Sequence, residues 1–310
     1  MRWNFHKYTV EGHSNSADLM AAWRHSFGSR PSADTDPNIH ITLDLADHIP
    51  PEPDRDADFT QGDLLRYYVD GDKVIVHFPR FGQLVLDLAL GTTSGQLVED
   101  ALTTYGVLED LVAISLSPHL RRRGYFLIHA FAAALNGRAV LLVGGIGAGK
   151  TTTGMSLLNA GWRLLSNDSP IVAANGRILS YPGVLAGYPE TFGRFSRTAH
   201  LADQTPTQSG RQKLLISAES VFPDVWLDQA PIAAICFPQI EQRSNHALTP
   251  IGGVSALRQL LPHAIEQWDR TQIPHHLRIL RQLIDAAPVY TLHLGPDVLA
   301  IPDLIASILE

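Results

Sequence analysis

The chain has little of what would mark several large classes of protein. Its 310 residues include a single cysteine, Cys236, so no intrachain disulfide framework exists and stability must come from a core. That cysteine lies in the apolar run Ile232-Ala-Ala-Ile-Cys-Phe, where a buried strand residue is expected rather than a nucleophile. No apolar stretch reaches membrane-spanning length, and no apolar run follows the basic residues near Met1, so a secretory signal is not expected and the cytoplasm is the expected location. Charged residues make up 18% and the net charge is −7, which leaves no broad positive field for nucleic acid or an anionic membrane; neither is an expected partner. His275-His276 and the other histidines lack ligand spacing for zinc. With hydrophobic residues at 45%, the composition is that of a folded globular protein, and the length suits two domains.

Proline, aspartate and glycine cluster over 29–38 and 49–63 as they do in loops. Between and after these stretches, Ile39–Leu45, Leu65–Val69, Lys73–Phe78 and Gln83–Leu88 alternate in polarity and predict an antiparallel β-meander. Helices are expected at 97–105 and 108–120. The pattern suggests a β-rich domain over 1–115 and an α/β domain over 116–310. In the second, Arg138–Val143 reads as a strand, Lys150–Ala160 as a helix closed by Gly161, and Trp162–Ser166 as a returning strand. Further strands are expected at 171–174, 177–179, 232–237 and 289–294, with helices at 253–261, 276–287 and 302–309.

Between the first of these strands and its helix runs Gly144-Gly145-Ile146-Gly147-Ala148-Gly149-Lys150-Thr151, which satisfies G-x-x-x-x-G-K-[ST]. Glycines permit the positive φ values that turn successive N–H groups toward an anion, and the helix beginning there adds its positive dipole end. Lys150 would reach the outer phosphates of a nucleoside triphosphate, and the Thr151 hydroxyl would complete the shell of Mg²⁺; Thr152 extends the nucleotide-binding set. A glycine turn capping a helix is the plainer alternative, but a chance match in the right strand-to-helix context is rare. ATP with Mg²⁺ is therefore the expected ligand. The Asn-Lys-x-Asp segment of GTPases and the Leu-Ser-Gly-Gly-Gln signature of transporter ATPases are both absent.

Asp168 follows the returning strand and would arrive at the nucleotide end of the sheet, where ligands of open α/β folds collect. A carboxylate there can accept a proton from an attacking hydroxyl or hold Mg²⁺. Asn167-Asp168-Ser169-Pro170 is also good turn chemistry, which is the competing reading. His129, in Phe126-Leu-Ile-His-Ala-Phe, could simply be a histidine satisfied at a strand end. Arg194 and Arg197 are candidates for substrate contact, Arg211 and Lys213 for a cationic lid over phosphates, although a solvated loop is an equal reading for the latter pair. Arg121-Arg122-Arg123 can bind an acidic substrate or complement the dipole of a helix end, and the second reading is preferred.

Taken together, His129-Ala130, Gly137, the loop with its flanks from Val140 to Thr152, and Gly161-Trp-Arg-Leu-Leu-Ser-Asn-Asp168 resemble the catalytic core of HPr kinase/phosphorylase and its relatives. The resemblance covers about 125–175 well and the remainder to 310 loosely; the first part of the chain does not share it. It implies a P-loop kinase core similar to HPr kinase and phosphoenolpyruvate carboxykinase, behind a β-rich N-terminal domain. It implies ATP-dependent phosphorylation of a hydroxyl, as of a serine in a peptide or protein partner such as a ribosomally made precursor peptide. Asp168 falls on the second of the family's paired acids and His129 on the histidine that neighbours them. Asn167 stands where the first acid would be, so Asp168 is implied as the base with His129 beside it. The downstream Glu-x-x-x-Ile/Val-Arg segment is not recognisable after 176, so phosphorolysis is not implied. A nucleotide-gated module that transfers nothing and a kinase of a small molecule such as free serine remain the alternatives, and self-association is left open.

Overall fold

A computed structural model describes residues 1–27, 35–181, 183–205 and 213–309. The chain forms two compact units: the first holds Met1–Arg123 and Glu266–Arg270, and the second holds most of Gly124–Glu310. The chain passes from one to the other between Arg123 and Gly124, so the helix spanning the expected boundary at 115 belongs whole to the first unit.

In the first unit the strands are β1 (Arg2–Phe5), β2 (Tyr8–His13), β3 (Ile39–Leu45), β4 (Phe59–Gln61), β5 (Leu65–Asp70), β6 (Lys73–Phe78), β7 (Gly82–Asp87) and β8 (Thr92–Leu97). They form one sheet in the order β1-β2-β3-β8-β7-β6-β5-β4. The meander expectation holds from β5 to β8, where all pairings are antiparallel. It fails at β3, which is parallel to both β2 and β8. Residues 92–97 complete the meander, so Leu97 closes a strand where the sequence predicts the start of a helix. The helices α1 (Ala17–Phe27), α2 (Asp100–Thr103) and α3 (Val107–Arg122) accompany the sheet. Trp3, Phe5, Trp23 and Phe27 form an aromatic cluster with ring centroids from 5.1 to 6.4 Å apart, which packs α1 onto β1.

Arg121 and Arg122 do not await an acidic substrate. Both bond Oδ2 of Asp269, at 2.9 and 2.7 Å, in the short segment that returns to this unit from late in the chain. Neither reading of the sequence included this pairing, because the partner lies 148 residues away.

The second unit is built on β9 (Tyr125–Leu127), β10 (Ala130–Leu135), β11 (Arg138–Val143), β12 (Arg163–Ser166), β13 (Ile171–Ala173), β14 (Arg177–Leu179), β15 (Leu185–Gly187), β16 (Leu214–Ile216), β17 (Gln229–Ile240), β18 (Ala247–Pro250) and β19 (Val289–Leu294). Its helices are α4 (Lys150–Asn159), α5 (Pro189–Phe192), α6 (Gly253–Leu260), α7 (Ile273–Ala286) and α8 (Ile301–Ala306). The long strand β17 organises the sheet. Its start pairs antiparallel with β14, and its later residues run parallel to β11 on one side and β19 on the other. β11 is buried on both faces, as its unbroken apolar sequence requires. Val140 and Leu142 join Met155, Leu157 and Leu158 of α4 in one core. Ala139, Leu141 and Val143 join the core that holds Ile279, Leu280 and Leu283 of α7. This alternation places helices on both sides of the sheet and leaves the end of β11 at the sheet's edge, where the glycine loop begins.

Candidate active site

Lys150 is the first residue of α4, and Gly149 precedes it in the left-handed region at φ 99°. A side chain at Gly149 is excluded on two counts: that φ, and a Cβ position only 2.6 Å from Cδ1 of Leu294. Gly147 is left-handed as well, at φ 81°. With glycine at the N-cap, that position supplies no side-chain oxygen to the first N–H groups of α4, which suits them to an anion. Lys150 folds back over the loop. Its Nζ donates to the carbonyl of Gly144 at 2.5 Å, to that of Gly145 at 3.2 Å, and to Nε2 of His129 at 3.2 Å. Three acceptors thus meet the three protons of the ammonium group. Burial lowers the pKa of Lys150; the charge of Asp168 opposes this and that of Lys213 adds to it.

Asp168 follows the end of β12, where Oγ of Ser166 accepts from the N–H of Ser169 at 3.0 Å and turns the chain. The turn is bound to the strand end opposite: the N–H of Ala130 donates to the Asp168 carbonyl at 2.9 Å, and that of Ile128 to the Pro170 carbonyl at 3.1 Å. The backbone therefore holds Asp168 beside His129 before any side-chain contact is made. Nδ1 of His129 lies 3.2 Å from Oδ1 of Asp168. With Nε2 accepting a hydrogen bond from Lys150, the ring's proton lies on Nδ1 and is donated to Asp168. The result is a linear chain from carboxylate through imidazole to ammonium. Although 58% of the Asp168 side chain is exposed, the protein packed around its carboxyl raises the pKa; the His129 bond and the charges of Lys150 and Lys213 outweigh this and hold it below the usual carboxylate range.

The remaining residues singled out from the sequence fall in several places. Ile146 and Ala148 complete the loop, with Ile146 exposed at its tip. Thr151 lies half-buried in the first turn of α4. Asn167 is half-buried, and its Oδ1 is fully buried without a hydrogen-bond partner among the described residues. Lys213 stands over the ring of Tyr188 at 5.3 Å and acts on both Lys150 and Asp168 through its charge. Arg211 lies outside the described residues. Arg194 and Thr152 line a cavity of about 590 Å³ whose walls include none of Lys150, His129 and Asp168. Arg197 is exposed. His276 packs its ring against Phe126 at 4.7 Å, and among the described residues no group of three or more His, Cys, Asp or Glu side chains could hold a metal ion.

His263 was missed. Its carbonyl accepts the N–H of His129 at 2.7 Å and its ring lies 6.1 Å from that of His129. Burial above all, and then the positive charge of Lys150, lower its pKa. The Leu-Pro-His context carries no catalytic signal; only the fold brings the turn after α6 to β10.

No family model matches the chain, and no curated protein matches it either. Among solved structures the chain is similar to the Hpr(Ser) kinase/phosphatase from Coxiella burnetii, over 58% of this chain and 88% of that one, at 14% identity and a TM-score of 0.32. That similarity is too slight to carry an argument about activity. Among the described residues no helix is long and apolar enough to cross a membrane.

Proposed function

We propose that the chain is an ATP- and Mg²⁺-dependent phosphotransferase that moves the γ-phosphate to the hydroxyl of a serine in a peptide or protein. The observation that carries this reading is the continuous chain Asp168–His129–Lys150, with a carboxylate at one end and a cation over a glycine loop at the other. Phosphoryl transfer asks for little beyond these parts, because most of its catalysis is positioning and electrostatic stabilisation. On this reading Lys150 exchanges the carbonyls of Gly144 and Gly145 for phosphate oxygens. Asp168, its Oδ1 engaged by His129, takes the acceptor proton on its second oxygen. The acceptor oxygen bonds to the γ-phosphorus while the bond from that phosphorus to the bridging oxygen breaks, and ADP departs.

The Thr151 hydroxyl is a hard oxygen donor, and the Asp168 carboxylate would reach Mg²⁺ through a water while its own oxygens serve His129 and the acceptor; such a set suits Mg²⁺ arriving with phosphates rather than a softer metal in an all-protein cage. Bound there, Mg²⁺ would offset phosphate charge. Asn167 favours a second reading, a nucleotide-gated module without transfer, because an amide cannot serve as the paired base and its Oδ1 has no partner among the described residues.

The test is mass spectrometry of acceptors incubated with the protein, ATP and Mg²⁺: serine-containing precursor peptides, HPr and free serine. A gain of about 80 Da, one phosphoryl group, on a peptide or protein that vanishes with Lys150→Ala supports the proposal. Gain on free serine alone moves the reading to a small-molecule kinase. ATP binding without gain on any acceptor refutes transfer and leaves the gated module.

A further inference from the structure

The transfer chemistry leaves unused a cavity beside the loop in the second unit. Gly149, Thr152 and Thr153 contribute to its wall, so whatever occupies it lies against the same helix end that would receive phosphates. Its volume, about 590 Å³, is in the usual range for small organic ligands. Lys150, His129 and Asp168 are absent from its walls, which separates it from the place where an acceptor hydroxyl would meet its base.

Three observations describe what the cavity would take. The first is charge. Glu190 and Glu241 offset Arg194 and Arg243, so the lining has no net positive charge for a polyphosphate. The second is an apolar surface without cover. Ile240, the last residue of β17 and the partner in register of Leu294, is 68% exposed, and both side chains belong to the cavity lining. A large aliphatic side chain at a cavity mouth offers a flat ligand area to remove from water. The third is a built rim. Glu241 accepts from Nδ1 of His293 at 2.7 Å, and Nε2 of that ring lies 3.1 Å from the hydroxyl of Thr249. The carboxylate is thereby held in place as an acceptor for hydroxyl or amino groups. On the same lining the Thr153 hydroxyl is fully buried and has no hydrogen-bond partner among the described residues.

We propose that this cavity holds the nucleoside half of the triphosphate, with the base against Ile240 and Leu294 and the phosphates running from Gly149 onto the loop. The assignment rests on the phosphotransferase reading only in requiring a triphosphate on the loop. It commits Ile240 to a role in ligand choice that no loop motif contains.

Calorimetric titration in Mg²⁺ with ATP and with inorganic tripolyphosphate separates the two claims. The wild-type protein should bind ATP about tenfold or more tightly than tripolyphosphate, and Lys150→Ala should weaken both. Ile240→Ser, at a site exposed enough to leave folding intact, should weaken ATP by about tenfold, the scale of losing one buried aliphatic contact, and change tripolyphosphate by less than about twofold. If the wild type binds both ligands equally, or if Ile240→Ser leaves ATP affinity unchanged, the cavity does not hold the nucleoside while the loop assignment stands. If the wild type binds neither, the phosphotransferase reading falls and the cavity assignment with it.

Discussion

Replacing Gly154 by alanine adds one methyl group between α4 and β10. A Cβ built there stands 2.4 Å from Cε2, 2.5 Å from Cζ and 2.6 Å from Cδ2 of Phe131, whose side chain is completely buried. On an unpacked helix the change would stabilise by about 1 kcal/mol, the difference in helix propensity. Overpacking a core costs about 1–3 kcal/mol, and three ring atoms inside contact distance on a fully buried ring put this site at the upper end. The two effects oppose, and the steric one wins by about 2 kcal/mol. The consequence reaches the site. Lys150 lies one turn before Gly154 in α4 and His129 lies two residues before Phe131, so a wedge between helix and strand lengthens the 3.2 Å contact between Lys150 and His129. Urea unfolding should show a lower midpoint at unchanged slope. Combining Gly154→Ala with Phe131→Leu should recover at least about 1 kcal/mol relative to the sum of the single changes. A Gly154→Ala protein as stable as the wild type, or more so, would show that propensity dominates and would refute this account of the packing.

Asp269→Ala should destabilise the first unit by about 3–5 kcal/mol, since it strands the Arg121 guanidinium, 3% exposed, without its carboxylate; a loss under about 1 kcal/mol in urea unfolding would contradict this. His119 is buried with Nε2 against the Thr93 hydroxyl at 2.8 Å, and burial lowers its pKa to about 4. The unfolded chain binds a proton near pH 6.5 and the folded one does not until about pH 4, so stability falls as pH drops through that window. At about 1.4 kcal/mol per pH unit the loss approaches about 3 kcal/mol, and His119→Gln should flatten that part of the stability profile. Burial pushes the Cys236 thiol up to about 12, so thiol reagents at pH 8 should label it only in denaturant; rapid labelling of the native protein would contradict its place inside β17.

The strand, loop and helix around Lys150 are legible in the sequence because each signal is local: a β-branched and leucine-rich run, glycines at fixed offsets, then helical spacing. α6 and α7 follow expectation within a few residues for the same reason; in α7, His276, Ile279, Leu280 and Leu283 are the buried stripe of an amphipathic helix. β8 was hidden because Thr92-Thr-Ser-Gly-Gln-Leu97 buries small residues, Thr93 and Gly95, where a strand usually announces itself with large ones. The parallel placement of β3 depends on partners distant in sequence, which no local pattern records. The site divides along the same line. Lys150 and the glycines are read from a motif, whereas the approach of Asp168 to His129 depends on the backbone pairing of 128–130 with 168–170. Only the resemblance to a known family brought those two residues together in advance. The cavity is built from the start of α4, from α5, from the ends of β17 and β19 and from the segment leading into α8; apart from the loop motif at α4, none of these carries a ligand signature of its own.

The central claim, that Asp168 takes a proton from an acceptor hydroxyl during phosphoryl transfer, is tested most directly by single-turnover transfer from radiolabelled ATP, comparing the wild type with Asp168→Asn while nucleotide affinity is measured on the same proteins. The account predicts affinity within about threefold and transfer reduced by about a hundredfold or more, the usual contribution of a general base. Transfer by Asp168→Asn at the wild-type rate would contradict it.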